Sequence, residues 1–215
     1  MFHTTRVHGF TLAIAASATL LASAPEAFAE AVTLTDIAGR EVTLPEMPDK
    51  IILGEGRMMY AVAPLTDGNP FEKIVGWKDD LVLYDPDAFR KFEAVFPDDA
   101  ARIINFGNPY AGDFSIEAVL ESEADLGLLE LGNLFKAEDT GLIEKLDKAG
   151  VATVFIDFRQ NPTENAIPSM LILGRLLGEE KAAAEFIDFY IAQMRRVTNV
   201  VQSVPNDEKP LVFIE

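Results

Sequence analysis

Apolar residues follow two recurring patterns along the chain after about residue 30. Segments 32–35 and 41–44 alternate apolar and polar residues on either side of the turn sequence Ile37-Ala38-Gly39-Arg40, which predicts a β-hairpin. Continuous short apolar runs then recur without alternation, which is typical of strands buried on both faces of a parallel sheet. These runs are residues 51–53, 74–77, 102–105, 125–129 and 151–156.

The segments between the apolar runs have the spacing of helices. Ile116, Val119 and Leu120 lie at positions i, i+3 and i+4 after Ser115, a residue that can cap a helix. A second stripe spans residues 142–149 and ends at a glycine. Strand, helix, strand repeats of this kind predict an α/β fold with an open, doubly wound parallel sheet.

The last part of the sequence predicts a long helix followed by a strand. A helix over 165–177 precedes a longer one over 179–203, whose apolar stripe continues for about 25 residues, or roughly 37 Å. That length exceeds what one small lobe needs. Residues 209–215 then have the pattern of a buried strand with nothing after it, so we expect a second lobe to be missing from this sequence.

The composition excludes several classes of function. Among 215 residues, 18 are Lys or Arg and 35 are Asp or Glu, giving a formal charge of −17, which would repel a nucleic-acid backbone. Cysteine is absent, and the two histidines, His3 and His8, lie near the N-terminus. Once that end is cleaved, the chain has no thiol and no imidazole, so we expect no cysteine or histidine nucleophile system, no bound metal ion and no cofactor.

The N-terminus has the features of an export signal. Arg6 precedes an apolar run from Phe10 to Ala24, and Ala27-Phe28-Ala29 has the small-x-small pattern of a cleavage site. The run is about 15 residues long, shorter than the roughly 20 needed to span a bilayer. We therefore predict cleavage after Ala29 and a soluble product in a bacterial periplasm.

Two segments resemble a known family. Residues 35–45, with the sequence TDIAGREVTLP, and Pro48-Asp49-Lys50-Ile51-Ile52 resemble the opening of the periplasmic substrate-binding proteins of ABC importers for iron-siderophore, haem and vitamin B12. Residues 115–126 resemble the same family's helix-then-strand signature, although Ala124 stands where the family has proline and Gly127 where it has valine.

The resemblance implies a class III binding protein, in which one long rigid helix joins two lobes and the ligand lies in a shallow cleft between them. On this basis residues 1–29 are a signal peptide and 30–176 an N-terminal α/β lobe. Residues 177–204 are the interlobe helix, and 205–215 are the first strand of a truncated C-terminal lobe.

Candidate ligand-binding residues lie in the loops that follow the strands, because ligands of open α/β sheets bind beyond the carboxyl ends of the strands. These loops concentrate aromatic, cationic and amide side chains, which suit a ferric chelate or a tetrapyrrole. An arginine there either pairs with a local acid or faces an anionic ligand. The candidates are Arg57, Tyr60, Trp77, Tyr84, Tyr110, Asn133, Phe135 and Arg159.

Glu117 has two interpretations. It lies in the first turn of a predicted helix, where the helix dipole favours a carboxylate whatever the function. By its place in the family-like segment, it also matches the glutamate that docks this lobe onto arginines of the permease, and such a contact steers encounter more than it adds affinity.

The sequence therefore predicts a monomeric, non-enzymatic receptor that delivers a ferric siderophore or a related chelate to an inner-membrane ABC permease. One alternative is an exported enzyme that uses carboxylates such as Glu55 or Asp157 as acid and base. Another is a one-lobe adaptor that docks a partner through its acidic surface.

Overall fold

The computed structural model describes residues 31–212, in which five parallel strands form the central sheet and two further strands form a hairpin. The sheet order is β5-β4-β3-β6-β7. The strands are β1 (Val32–Thr35), β2 (Glu41–Leu44), β3 (Ile51–Leu53), β4 (Ile74–Trp77), β5 (Ile104–Asn105), β6 (Leu126–Glu130) and β7 (Ala152–Ile156). The helices are α1 (Met59–Val62), α2 (Asp80–Tyr84), α3 (Pro86–Val95), α4 (Pro97–Arg102), α5 (Ile116–Glu121), α6 (Leu134–Asp139), α7 (Leu142–Lys148), α8 (Pro162–Leu177) and α9 (Glu180–Val201).

The doubly wound sheet is confirmed, and each face of it carries its own apolar core. Ile51 and Leu53 of β3 pack into one core, whereas Ile52 between them packs into the other. Because successive side chains of a strand point to opposite faces, a strand covered on both sides has no polar position. This explains why the run that predicted β3 has no alternation.

The predicted hairpin is also present, and it closes one edge of the sheet. Strands β1 and β2 pair antiparallel, with Val32 opposite Leu44. The backbone N–H of Ile37 donates to the carbonyl of Phe155 at 3.1 Å, and Arg40 Nη2 donates to the carbonyl of Thr153 at 2.6 Å. The hairpin turn therefore covers the outer edge of β7, which would otherwise expose unpaired backbone groups.

Helices α5 and α9 match their predicted positions, with two differences in burial. The Ser115 hydroxyl accepts from the backbone of Ala118 and caps α5, but Leu120 is exposed rather than part of the buried stripe. The stripe of α9 is buried only in its first half. Ala183 and Ile187 are buried, and the later members of the stripe, among them Val197, are exposed.

The chain after α9 differs from its prediction. Residues 205–212 form turns and irregular structure rather than the start of a strand, and the side chains of Leu211 and Val212 are exposed. The rest of that predicted strand and the predicted signal segment, 1–29, lie outside the described residues. Within residues 31–212, no helix is long and apolar enough to cross a membrane.

Candidate functional site

Four acidic side chains are buried at the carboxyl edge of the sheet. Glu55 follows β3, Asp80 opens the helix after β4, Glu130 is the last residue of β6, and Asp157 follows β7. Glu55 is 4% exposed, and the other three are fully buried. Because ionised carboxylates are costly to bury without partners, this edge needs compensating cations and hydrogen-bond donors.

Arg159 supplies part of that compensation from the loop after β7. Its Nη2 donates to Glu55 Oε1 at 3.0 Å and to Glu130 Oε2 at 3.0 Å. Asn133, which follows β6, donates from Nδ2 to the same Glu55 oxygen at 2.9 Å. Side chains from three strand ends are thus joined through one guanidinium and one amide.

Arg57 is a second arginine near Glu55. Its Nε donates to Asp80 Oδ2 at 2.5 Å, while its Nη2 lies 3.8 Å from Glu55 Oε2. The ring of Tyr84 is 5.7 Å from the Arg57 guanidinium carbon. Both loop arginines therefore pair with local acids, which is the first of the two alternatives that the sequence left open.

Asp157 holds the loop that carries Arg159. Its Oδ1 accepts from the backbone N–H groups of Arg159 and Gln160, each at 2.8 Å, and its Oδ2 accepts from the backbone of Asn161 and the side chain of Asn165. Burial alone would raise the pKa of Asp157, but these hydrogen bonds outweigh it and hold the pKa below its ordinary value. Asp157 therefore acts as an ionised anchor of this loop.

Three buried oxygen atoms at this edge have no hydrogen-bond partner among the described residues. They are Glu55 Oε2, Glu130 Oε1 and the hydroxyl of Tyr110, although Glu55 Oε2 lies 2.9 Å from Arg159 Nη2 in an ion pair. Tyr110 reaches the edge from the loop after β5, and its hydroxyl lies so close to Gly54 that a Cβ there would be 2.5 Å away. Burial, with the negative charges of Glu55 and Glu130 nearby, raises the pKa of Tyr110, so its hydroxyl is neutral.

Glu130 has an unusual environment for a carboxylate in contact with an arginine. Burial raises its pKa, Arg159 and the backbone N–H of Gly132 oppose that effect, and Glu55 adds to it. The net direction is upward from the ordinary value. Burial of Glu130 therefore outweighs the stabilisation that Arg159 gives to its ionised form.

Exposed aromatic side chains occur in the helices that follow β3, β4 and β6, and we call them the aromatic border of the charged cluster. Tyr60, Tyr84 and Phe135 are 44%, 71% and 77% exposed. The Tyr60 hydroxyl donates to Asp85 Oδ2 at 2.6 Å, and Phe135 lies two residues after Asn133 in the chain. Three of the candidate aromatic residues thus offer ring surface to a ligand.

Trp77 was predicted to bind the ligand, but in the structure it is a core residue. It is the last residue of β4, is only 3% exposed, and packs its ring against Phe71 and Phe89. An apolar ring at the end of a buried strand continues the core rather than opening the loop, so Trp77 offers no surface to a ligand.

Glu117 is exposed in the first turn of α5, where its carboxylate lies 3.3 Å from the Ser115 hydroxyl.

Glu130 and Asp80 were not among the binding residues predicted from the sequence. A signal for both was present, because each is a carboxylate at or just after the carboxyl end of an apolar run, where buried strands meet the ligand-binding edge. Glu55 and Asp157 entered only as residues of the enzyme alternative, whereas in the structure they position arginines.

The fold defines the class of protein to which the chain is similar. Its structural neighbours are TroA-like, class III periplasmic binding proteins, and the parallel sheet with its flanking helices matches a lobe of that fold. No protein-family model and no curated protein sequence matches the chain.

Three solved structures illustrate the similarity. The TroA-like periplasmic binding protein FepB from Veillonella parvula is 27% identical, with a TM-score of 0.73, over 83% of this chain and 51% of that one. The siderophore-binding protein BauB, in complex with acinetobactin and ferric iron, is 17% identical with a TM-score of 0.58, over 82% and 56%. The molybdate-binding protein MolA from Haemophilus influenzae is 13% identical with a TM-score of 0.64, over 82% and 56%. This chain thus spans about half the length of these proteins.

Proposed function

We propose that the chain is the solute-binding part of an ABC importer, which captures a ferric siderophore or a related metal chelate or tetrapyrrole in the periplasm and delivers it to the inner-membrane permease. It acts as a monomer and without chemistry of its own. The observation that carries this proposal is the convergence of charged and aromatic side chains from several strand ends at the ligand-binding edge of a binding-protein fold.

The ligand contacts the aromatic border of the cluster first. Tyr60, Tyr84 and Phe135 are exposed and planar, so they can pack against the apolar surface of a chelate. Arg57, Tyr110, Asn133 and Arg159 lie behind them and supply polar contacts. Rigid hydrogen bonds hold Arg159 in place, which lowers the conformational entropy that binding must remove.

The enzyme alternative has less support from the site. Asp157 accepts four hydrogen bonds that position a loop, and Glu55 accepts from Asn133 and Arg159. Both carboxylates therefore have structural partners, whereas a general base must reach the proton of a substrate.

Binding of a chelate is tested by calorimetric titration of the full encoded chain with a ferric hydroxamate complex, ferric citrate, haem, cobalamin and molybdate. We expect micromolar or tighter binding of one metal chelate or tetrapyrrole. Phe135→Ala should weaken that binding about tenfold, whereas Phe189→Ala, which removes a similarly exposed ring on α9, should not. Binding of none of the chelates, or of molybdate alone, contradicts the proposal.

Docking onto a permease through Glu117 is a separate part of the proposal. Glu117 is exposed in the first turn of α5, and Glu121 is exposed at the end of the same helix. We expect Glu117→Arg to reduce ligand uptake in cells without changing ligand affinity, because like charges would oppose the arginines of a permease. Glu121→Arg is the matched control, and equal loss of uptake in both variants would remove the specific role of Glu117.

A further inference from the structure

The carboxyl edge holds more negative charge than its arginines compensate. Three buried carboxylates, those of Glu55, Asp80 and Glu130, share the guanidiniums of Arg57 and Arg159. Both arginines have partners at hydrogen-bond distance, so their charge is already used inside the protein. A further anion brought to this edge would add to the excess of negative charge.

Buried oxygen atoms without a hydrogen bond also indicate an excess of negative charge at this edge. Among residues 31–212, four buried side-chain polar atoms lack a hydrogen-bond partner, and three of them belong to Glu55, Glu130 and Tyr110 at this edge. The fourth, Asp125 Oδ1, lies at the opposite edge of the sheet. Glu55 Oε2 has an ion-pair contact with Arg159 Nη2 at 2.9 Å, whereas Glu130 Oε1 has no partner. A carboxylate oxygen can only accept hydrogen bonds, so Glu130 lacks a donor, and the excess of carboxylates at this edge favours one with positive charge.

The pKa of Glu130 is consistent with this excess of negative charge. Its pKa is raised although Arg159 touches it, because burial and the neighbouring Glu55 outweigh the arginine. An additional cation near the cluster would favour the ionised form of Glu130 and so bind more tightly to it.

The exposed aromatic side chains that accompany the cluster suit an organic cation. Tyr60, Tyr84 and Phe135 are exposed, and the negative faces of aromatic rings attract ammonium and guanidinium groups. The Tyr84 ring already lies 5.7 Å from the guanidinium of Arg57. The border and the cluster beneath it therefore favour the same kind of ligand group.

We propose that the carboxyl edge of this lobe receives a cationic nitrogen group of the ligand, an ammonium or a guanidinium, above Glu55 and Glu130. This inference rests on the proposed function and specifies its substrate class: a metal chelate whose end facing this lobe carries a positive charge rather than carboxylates. Arg57 and Arg159 then hold the two glutamates in place and are not the main attraction for the ligand.

The test compares two chelates that differ only in this group. The ferric complex of desferrioxamine B ends in a primary ammonium, and the complex of its N-acetylated derivative has the same chelating groups without that charge. We expect the full encoded chain to bind the ammonium form at least about tenfold more tightly in calorimetric titrations. Equal binding, or tighter binding of the acetylated form, overturns the inference while leaving the proposed function intact.

Substitutions of the two glutamates test whether the preference for the ammonium form arises at this edge. Glu55→Gln and Glu130→Gln keep the size of the side chain and remove its charge, so each should reduce the preference for the ammonium form to about threefold or less. Glu121→Gln is the control, because Glu121 is exposed on α5, near the amino end of β6. An undiminished preference in both site variants places the cation elsewhere and overturns the inference.

A second measurement decides the inference when neither chelate binds. That result would count against the proposed function for hydroxamate chelates, and the charge preference is then measured with agmatine, which carries an ammonium and a guanidinium, and with succinate, a dicarboxylate. We expect agmatine to raise the thermal unfolding midpoint more than succinate does in the wild type and in Glu121→Gln. We expect the larger effect of agmatine to disappear in Glu55→Gln and Glu130→Gln. The inference is overturned if the wild type shows no larger effect of agmatine, or if both variants keep it.

Discussion

Two clusters of arginine and carboxylate groups lie against the same sheet, and they differ in how completely they are paired. In the first, at the hairpin turn, Arg40 donates from Nε and Nη2 to Asp36 Oδ2 at 2.9 and 2.8 Å. The backbone N–H of Arg40 donates to Asp36 Oδ1, and that of Phe155 donates to Oδ2. Arg40 also binds the hydroxyl and the carbonyl of Thr153. Both carboxylate oxygens thus have donors.

The second cluster, around Glu55, Glu130 and Arg159, leaves three buried oxygens without a hydrogen bond, and of these only Glu55 Oε2 has an ion-pair contact. Both clusters join distant parts of the chain, but only the first closes its hydrogen-bond network inside the protein. A buried polar network that is fully satisfied stabilises one structure, whereas an incomplete one is suited to complete itself with a ligand. We therefore expect the Asp36 cluster to stabilise the fold, whereas the proposed function gives the Glu55 cluster a role in ligand binding. Four substitutions test that division.

The largest effect on stability is expected from Asp36→Ala. Removing one partner of a buried ion pair leaves Arg40 without its counter-ion and the backbone N–H of Phe155 without its acceptor, so we expect a loss of about 3 kcal/mol in the free energy of unfolding. Urea denaturation measures the loss. Asp87→Ala, which breaks an exposed pair with Arg90 on α3, should change stability by less than about 1 kcal/mol. Similar losses in the two variants would remove the distinction between the clusters.

Asp157→Asn comes next, because Asp157 organises the loop of Arg159 and is fully paired itself. We expect a loss of about 2 kcal/mol, typical of hydrogen bonds to a charged group. The pKa of Asp157 is lowered in the folded state, so its contribution is present above the ordinary value of 3.8 and is lost as the pH falls through the folded pKa. Stability measured against pH should therefore fall less steeply below pH 3.8 in the variant, and parallel curves would contradict the assignment.

The strands and the capped helix α5 were predictable because their signals are local. An apolar run of three to six residues, or Ser115 before a helical stripe, carries its information within a few positions. The partners of the loop arginines, in contrast, are distant in the sequence. Arg159 meets Glu55 across 104 positions and Glu130 across 29, and only the parallel sheet order brings those strand ends together. Sequence spacing therefore identified the loops but could not decide whether their arginines face an acid or a ligand.

Trp77 and α9 show a second limit of local patterns. The same apolar character fits a ligand-facing ring and a core ring, and only the packing of Trp77 against Phe71 and Phe89 decides between them. The stripe of α9 likewise predicts an apolar face but not what covers it, and here α8 covers only its first half, where Gly174 allows Ala183 to approach closely.

Glu130→Gln should change stability by no more than about 1 kcal/mol, because the charge that it removes lacks full compensation. The sign of its pH effect is opposite to that of Asp157. The folded-state pKa of Glu130 is raised, so the wild type loses stability as the pH rises from the ordinary value of 4.5 to the folded pKa, and the variant should not.

Glu55, Arg159 and Tyr110 face Glu130, and the affinity for a cationic ligand should rise over the same pH interval as Glu130 ionises. A wild-type affinity that falls over this interval would place the cation away from Glu130.

The smallest effect is expected from Thr153→Val in the satisfied cluster. This change removes only the hydroxyl that accepts from Arg40 Nη1 at 3.2 Å and keeps a β-branched residue in β7. The carbonyl of Thr153 still accepts from Arg40 Nη2 at 2.6 Å, so the guanidinium keeps its other partners and stability should fall by only about 0.5 kcal/mol. Urea denaturation of the single variant and of the double variant with Asp36→Ala measures the coupling between the two sites. A loss from Thr153→Val as large as that from Asp36→Ala would mean that the cluster has no redundancy, and its stability could then not be attributed to complete pairing.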